Sequence, residues 1–318
     1  MVRRARAILP PSSLRLGLGV ATILLVGAGC TGTATPASSG PMPAPGALKV
    51  VATTTVLADM VRQVGGTNVD VTSIVPKGAV VETFDPSPRD IAAVSAADLV
   101  VMNGLGLDDW LQRVIKAANP DVPVVRLGED LPGADYISGG AGEALNPHLW
   151  LDVSNGERYA ARIADALATA DPSRAANVRA GGDAYRARLA DLDADVRDRI
   201  ATIPAGDRKL VSFHEAFPYF AKAYGLEIVG SVVGVPGQDP SAGEVATLIN
   251  AIKGSGARAV FAEAGFNPDL ARAIATEAGV SVESNLYNDS LGDPPVDTYE
   301  GLIRWDVDRI VAALGGRG

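Results

Sequence analysis

Eight short runs of aliphatic and β-branched residues, each separated from the next by a helical pattern, constrain this chain more than any other feature. In the first half they are Leu48–Ala52, Val69–Ile74, Leu99–Met102 and Val122–Arg126. In the second half they are Lys209–Phe213, Glu227–Val233, Ala259–Ala262 and Val280–Glu283. Near-continuous apolar runs of this kind are strands buried on both faces, which requires helices on either side of a parallel sheet. The expected class is α/β, with two parallel-sheet lobes. Helix starts are legible as well. Ser87-Pro88 and Asn267-Pro268 each pair a capping residue with a proline suited to the first turn. Ser154 with Glu157, and Ser241 with Glu244, have the spacing of capping boxes.

The segment 172–204 divides the two sets of strands. Asp171-Pro172 opens it and Ile203-Pro204-Ala205-Gly206 closes it. Between them Tyr185, Leu189, Leu192, Val196 and Ile200 recur at spacings of three and four, the signature of one long amphipathic helix of about 45 Å at about 1.5 Å per residue. Gly181-Gly182 falls inside it and is the expected place for a kink. The reading is a connecting helix between an N-terminal lobe, 47–171, and a C-terminal lobe, 205–318.

The N-terminus is a targeting segment. Arg3, Arg4, Arg6 and Arg15 precede the apolar run Leu16–Val26, too short for a stable membrane span. The run ends in Gly27-Ala28-Gly29-Cys30, which resembles a bacterial lipobox with Gly27 where Leu is usual. Cys30 is the only cysteine, so it is the expected lipidation site, with 1–29 as signal peptide. The alternative is ordinary cleavage that leaves a free thiol. Residues 30–46 then form a lipid-bearing, flexible tether of Pro, Ala, Ser, Thr and Gly. The exported chain has 24 basic and 37 acidic residues, a net charge of −13. Nucleic acid is therefore excluded as a partner, because phosphate binding needs a basic surface. A single cysteine also excludes a disulfide framework and a cysteine-based zinc module.

The chain has two histidines, so any imidazole chemistry uses His148, His214 or both. His148 lies in Asn146-Pro147-His148-Leu149-Trp150-Leu151-Asp152, and His214 just beyond the strand Lys209–Phe213. Asp289, in Asn288-Asp289-Ser290-Leu291, follows the strand Val280–Glu283, and Glu82 follows Val69–Ile74. Ligands of parallel α/β sheets bind beyond the carboxyl ends of the strands. Two such ends facing each other would bring two imidazoles and two carboxylates together. No phosphate-binding glycine loop accompanies them.

These motifs resemble those of the cluster A-I (cluster 9) metal-binding lipoproteins, the substrate-binding proteins of bacterial zinc and manganese ABC transporters. Asn146–Asp152 matches the family's N-P-H-x-W-L-D stretch, Val211–Phe220 its third ligand motif and Asp289–Leu291 its late D-S-L. The first motif keeps Pro76, Gly78, Pro86 and Pro88, but Glu82 stands where the family has a histidine. The resemblance implies a metal site of Glu82, His148, His214 and Asp289, with Asp85 or a water as the alternative to Glu82. It implies Zn²⁺ or Mn²⁺ as transported ligand, an ABC permease as partner, and anchorage to the outer face of the cell membrane. Zinc-type members often carry a His-rich loop before the second motif, and Asp135–Leu145 has no histidine. Two other functions use the same residues: a metal-dependent hydrolase with Glu215 as base, and an adhesin-like surface protein. Neither a nucleophile paired with a histidine nor an evident open coordination position favours an enzyme. Glu215 and Glu263 also lie near strand ends, and Trp150 and Phe213, which flank the ligands, read as packing residues.

Overall fold

The strands form where apolar β-branched runs can be covered by helices on both sides. The computed structural model describes residues 42–139, 144–234 and 236–315. The signal segment and Cys30 lie outside the described residues. In chain order the elements are β1 (Leu48–Ala52), α1 (Thr55–Gly65), β2 (Val69–Ser73), α2 (Pro88–Ser95), β3 (Leu99–Met102) and α3 (Trp110–Ala118). They continue with β4 (Val124–Arg126), α4 (Val153–Ala170), α5 (Ala175–Ala201), β5 (Lys209–Ser212), α6 (Pro218–Tyr224) and β6 (Glu227–Ser231). The last five are α7 (Ala242–Ser255), β7 (Ala259–Glu263), α8 (Asp269–Ala278), β8 (Ser281–Leu286) and α9 (Tyr299–Leu314). Every expected strand is present, with ends differing by at most three residues. Among the described residues no helix is long and apolar enough to cross a membrane.

The first half is one parallel sheet in the order β2-β1-β3-β4. The second half is also parallel, but its hydrogen bonds form two pairs, β5-β6 and β7-β8, with β5 packed beside β7. Each pair has a register shift, between Leu210 and Val211 and between Phe261 and Glu263. Such irregularities re-aim the chain at the end of a strand. Where β5 ends next to β7, the amides of Phe213 and His214 donate to the Glu263 carboxylate.

Several helices start at a side-chain cap, whereas α3, α5, α6 and α8 do not. Ser241 and Glu244 form a reciprocal capping box on α7, as the sequence predicts. At α4 the structure corrects the reading: Asp152, not Ser154, is the cap, and its carboxylate accepts from the Ser154 amide at 2.9 Å. A carboxylate placed two residues earlier satisfies the Ser154 amide and leaves the Ser154 hydroxyl as the acceptor for Arg158.

The long helix α5 is preceded by a short 3₁₀ turn, Pro172–Arg174, and runs unbroken through Gly181-Gly182. The glycine pair serves packing. A Cβ at Gly181 would lie 2.2 Å from the Val64 carbonyl oxygen, and one at Gly182 would lie 2.7 Å from the Ala164 Cβ. The missing side chains let α1 and α4 press directly against α5. One continuous apolar core then includes Val50 and Leu57 from the first half, Tyr185, Leu189, Leu192, Val196 and Ile200 from α5, and Phe217, Leu302 and Ile310 from the second half.

Candidate metal centre

Each candidate side chain is placed by the residue beside it. Val81 is fully buried and its carbonyl accepts from the Trp110 indole at 3.0 Å, which fixes Glu82 at the inner side of its loop. His148 precedes a 3₁₀ turn, Leu149–Leu151, whose three side chains are all in the core. His214 lies two residues beyond the end of β5 and leads into Ala216 and Phe217, both fully buried. Asp289 follows β8, and the next residues are tied to the first half: the Leu291 amide donates to Thr55 Oγ1 at 2.8 Å.

These four residues converge. One potential ligand atom from each of Glu82, His148, His214 and Asp289 lies within 4.8 Å of the others. His148, His214 and Asp289 are 3%, 1% and 5% exposed. The two imidazole Nε2 atoms are 3.3 Å apart. His148 Nε2 is 3.4 Å from Asp289 Oδ1, and His214 Nε2 is 3.7 Å from Asp289 Oδ2. A tetrahedral ion with bonds of about 2.0–2.1 Å to nitrogen holds its nitrogens about 3.3 Å apart, so this spacing already fits one. Asp85, the alternative to Glu82, is exposed, and Glu215 is not among the four.

The hydrogen bonds around the imidazoles decide which nitrogen points inward. Asn146 donates its amide to the Glu215 carbonyl at 2.7 Å, so its oxygen is left to accept from His148 Nδ1 at 3.0 Å. His214 Nδ1 bonds to Glu263 Oε2. Both rings thus spend Nδ1 on an acceptor and turn Nε2 toward the cluster, as metal-bound histidines do. The carboxylates behave in the complementary way. Glu82 Oε2 and Asp289 Oδ1 are buried oxygens with no hydrogen-bond donor. Buried acceptors without donors are costly, and a cation satisfies both. Sequence reading missed Glu263 and Asn146 as ring partners. Asn146 was visible as the first residue of the N-P-H stretch, whereas Glu263 is 49 residues from His214 and carries no local signal.

Electrostatics follow from the same crowding. Burial raises the Glu82 carboxyl above the usual range, and the Asp289 charge raises it further. Burial also opposes charge on Asp289, but His148 and His214 outweigh it and hold that carboxyl below its usual range. At His214 burial alone would depress the imidazole. Glu263, with Asp289 and Glu82 behind it, reverses that and lifts it to about 9.

Residues 50–313 match the family model described as zinc-uptake complex component A, periplasmic. The manganese-binding lipoprotein MntA of Halalkalibacterium halodurans is 32% identical over 93% of this chain and 96% of its own. The iron-binding protein YfeA of Yersinia pestis is 32% identical over 89% of this chain and 91% of its own. The structure of the periplasmic zinc-binding protein TroA from Treponema pallidum superposes with a TM-score of 0.79 at 27% identity, covering 85% of this chain and all of that one.

A metal ion can enter only by displacing the proton that His214 holds below pH about 9. Apparent Zn²⁺ affinity should therefore fall by about tenfold per pH unit as pH drops from 9 toward 7, with a proton released on binding. Competition titrations with a chromophoric chelator across that range check it. Affinity independent of pH over the range would contradict the electrostatics of the site.

Proposed function

The chain belongs to the family of the periplasmic zinc-uptake component A, and on that premise we propose that Glu82, His148, His214 and Asp289 bind the transported metal, Zn²⁺ or Mn²⁺. The protein is the substrate-binding component of a metal ABC transporter, works outside the cytoplasm and is not an enzyme. The observation that carries the ligand assignment is the match between two inward Nε2 atoms and two donorless buried carboxylate oxygens. Two carboxylates neutralise a divalent ion, so it can be buried without uncompensated charge. Two nitrogens and up to four oxygens also span the coordination numbers of both metals. We assign the metal to a cleft between an N-terminal lobe, 47–171, and a C-terminal lobe, 205–318, with 172–204 as the connector.

Replacing His148 or His214 with Ala should weaken Zn²⁺ and Mn²⁺ binding by more than about a hundredfold, beyond the usual loss for an outer hydrogen-bond partner. Glu82→Ala should weaken both metals. Glu82→His should raise the preference for Zn²⁺, since imidazole suits zinc better than manganese. Isothermal titration with each ion reads these outcomes. An alanine variant at position 82 that binds both ions like the parent would remove Glu82 from the site.

Delivery to a permease requires the protein to stay near the membrane, and we assign that role to a lipid on Cys30. The relatives MntA and MtsA (the latter from Streptococcus pyogenes) are named lipoproteins, and Cys30 ends the apolar leader as the only cysteine. Cys30→Ala should move the protein from the membrane fraction to the soluble fraction of cells. Unchanged sedimentation with membranes would refute the anchor.

A further inference from the structure

Three of the four ligands are linked, His148 through Trp150, to one pair of residues outside the cluster itself. Glu263, at the end of β7, is 2% exposed. Its Oε1 accepts from the Phe213 and His214 amides at 3.0 and 3.2 Å. Its Oε2 accepts from His214 Nδ1 and from the Asn288 side-chain amide, the latter at 2.9 Å. Asn288 in turn uses its Oδ1 to accept from the Asp289 amide at 2.7 Å, and its carbonyl accepts from the Trp150 indole at 3.1 Å. Trp150 lies two residues beyond His148, and their rings are 5.3 Å apart. Glu82 alone comes from a loop that makes no bond to this pair.

We propose that Glu263 and Asn288 are positioning residues that hold His214, Asp289 and the His148 turn as a preset three-ligand platform, which Glu82 completes when metal arrives. The proposal rests on the four-ligand reading above. Its physical basis is that a carboxylate at 263 only accepts. Every group facing it must donate, so His214 is obliged to carry hydrogen on Nδ1 and to present Nε2 to the metal. A glutamine at the same place cannot do this. Its single oxygen serves either the two backbone amides or the His214 and Asn288 side chains, and its NH₂ then opposes donors on the other side. With the oxygen on the backbone amides, His214 must move its hydrogen to Nε2, which removes the lone pair that a metal needs.

The test uses Glu263→Gln, which preserves shape. Zn²⁺ and Mn²⁺ affinity should each fall by about 10–100-fold, as for loss of an outer partner of a metal-bound histidine. In the Co²⁺-loaded variant the visible absorption bands should shift, because the His214 donor is weakened or lost. Glu263→Asp, still purely an acceptor, should keep more affinity than Gln. Should the Gln variant fail to fold, Asn288→Ala supplies the second arm, since it removes the link from Glu263 to Asp289, and about tenfold weaker binding is expected. Parental affinity in the Gln variant, or in Asn288→Ala, would overturn the proposal. A lowered affinity with unchanged Co²⁺ bands and a much lower unfolding midpoint would also overturn it, by reducing Glu263 to a structural role. His214→Ala separates the two readings. If it binds normally the ligand assignment itself fails; if it loses binding while Glu263→Gln does not, only the positioning role fails.

Discussion

Two ring nitrogens facing each other at 3.3 Å, each with its opposite ring nitrogen already committed to an acceptor, are the arrangement on which this structure depends. Two lone pairs so placed repel, and two donorless carboxylate oxygens beside them add to the cost. A cation among them reverses the sign of every one of these interactions. A proton on His214, whose affinity is lifted to about 9 by Glu263 and the neighbouring carboxylates, competes with a metal ion for the same place. Metal supply and local proton concentration act on the same equilibrium.

Keeping such a cluster together requires a stiff frame, and the frame is the continuous core around α5. The helix buries Tyr185, Leu189, Leu192, Val196 and Ile200 against elements from both halves of the chain. The glycine pair brings α1 and α4 against it closely enough that a single added methyl at position 181 would overlap the Val64 carbonyl. Further bonds cross near the site. The Tyr299 hydroxyl donates to the Trp150 carbonyl, and Lys77 donates to the Gly292 carbonyl at 2.6 Å. With so much apolar surface shared, large rigid-body opening would expose core. The Pro76–Asp85 loop carries Glu82. That loop is held on the second half mainly by Lys77 and by the Gly78 amide, which donates to Ser290 Oγ at 2.8 Å.

Most of the frame could be read from sequence because it rests on local rules. Strands announce themselves as apolar runs, and the face of α5 by spacings of three and four. The four candidate ligands that the structure brings together were legible through the resemblance to the family's motifs, helped by there being only two histidines in the whole chain. What sequence could not carry is partnership across distance. Glu263 looks like any polar residue ending a strand, and its role exists only because β7 lies beside β5. Asn288 looks like part of a turn before Asp289. The α4 cap was misplaced by two residues because Asp152 and Ser154 are both good caps, and only the packing of Leu149–Leu151 decides which backbone amide comes free first. The glycine pair in α5 reads as a weak point by propensity, yet tertiary contact makes it a close seam against α1 and α4.

We assign the metal to two imidazoles and two carboxylates supplied by both halves of the chain. X-ray absorption at the zinc edge of the Zn²⁺-loaded protein tests it most directly. The account predicts a shell of nitrogen and oxygen donors with the outer-shell scattering of two imidazole rings, reduced to one ring in His148→Ala. A shell with fewer than two imidazoles in the parent protein, or one unchanged by His148→Ala, would contradict it.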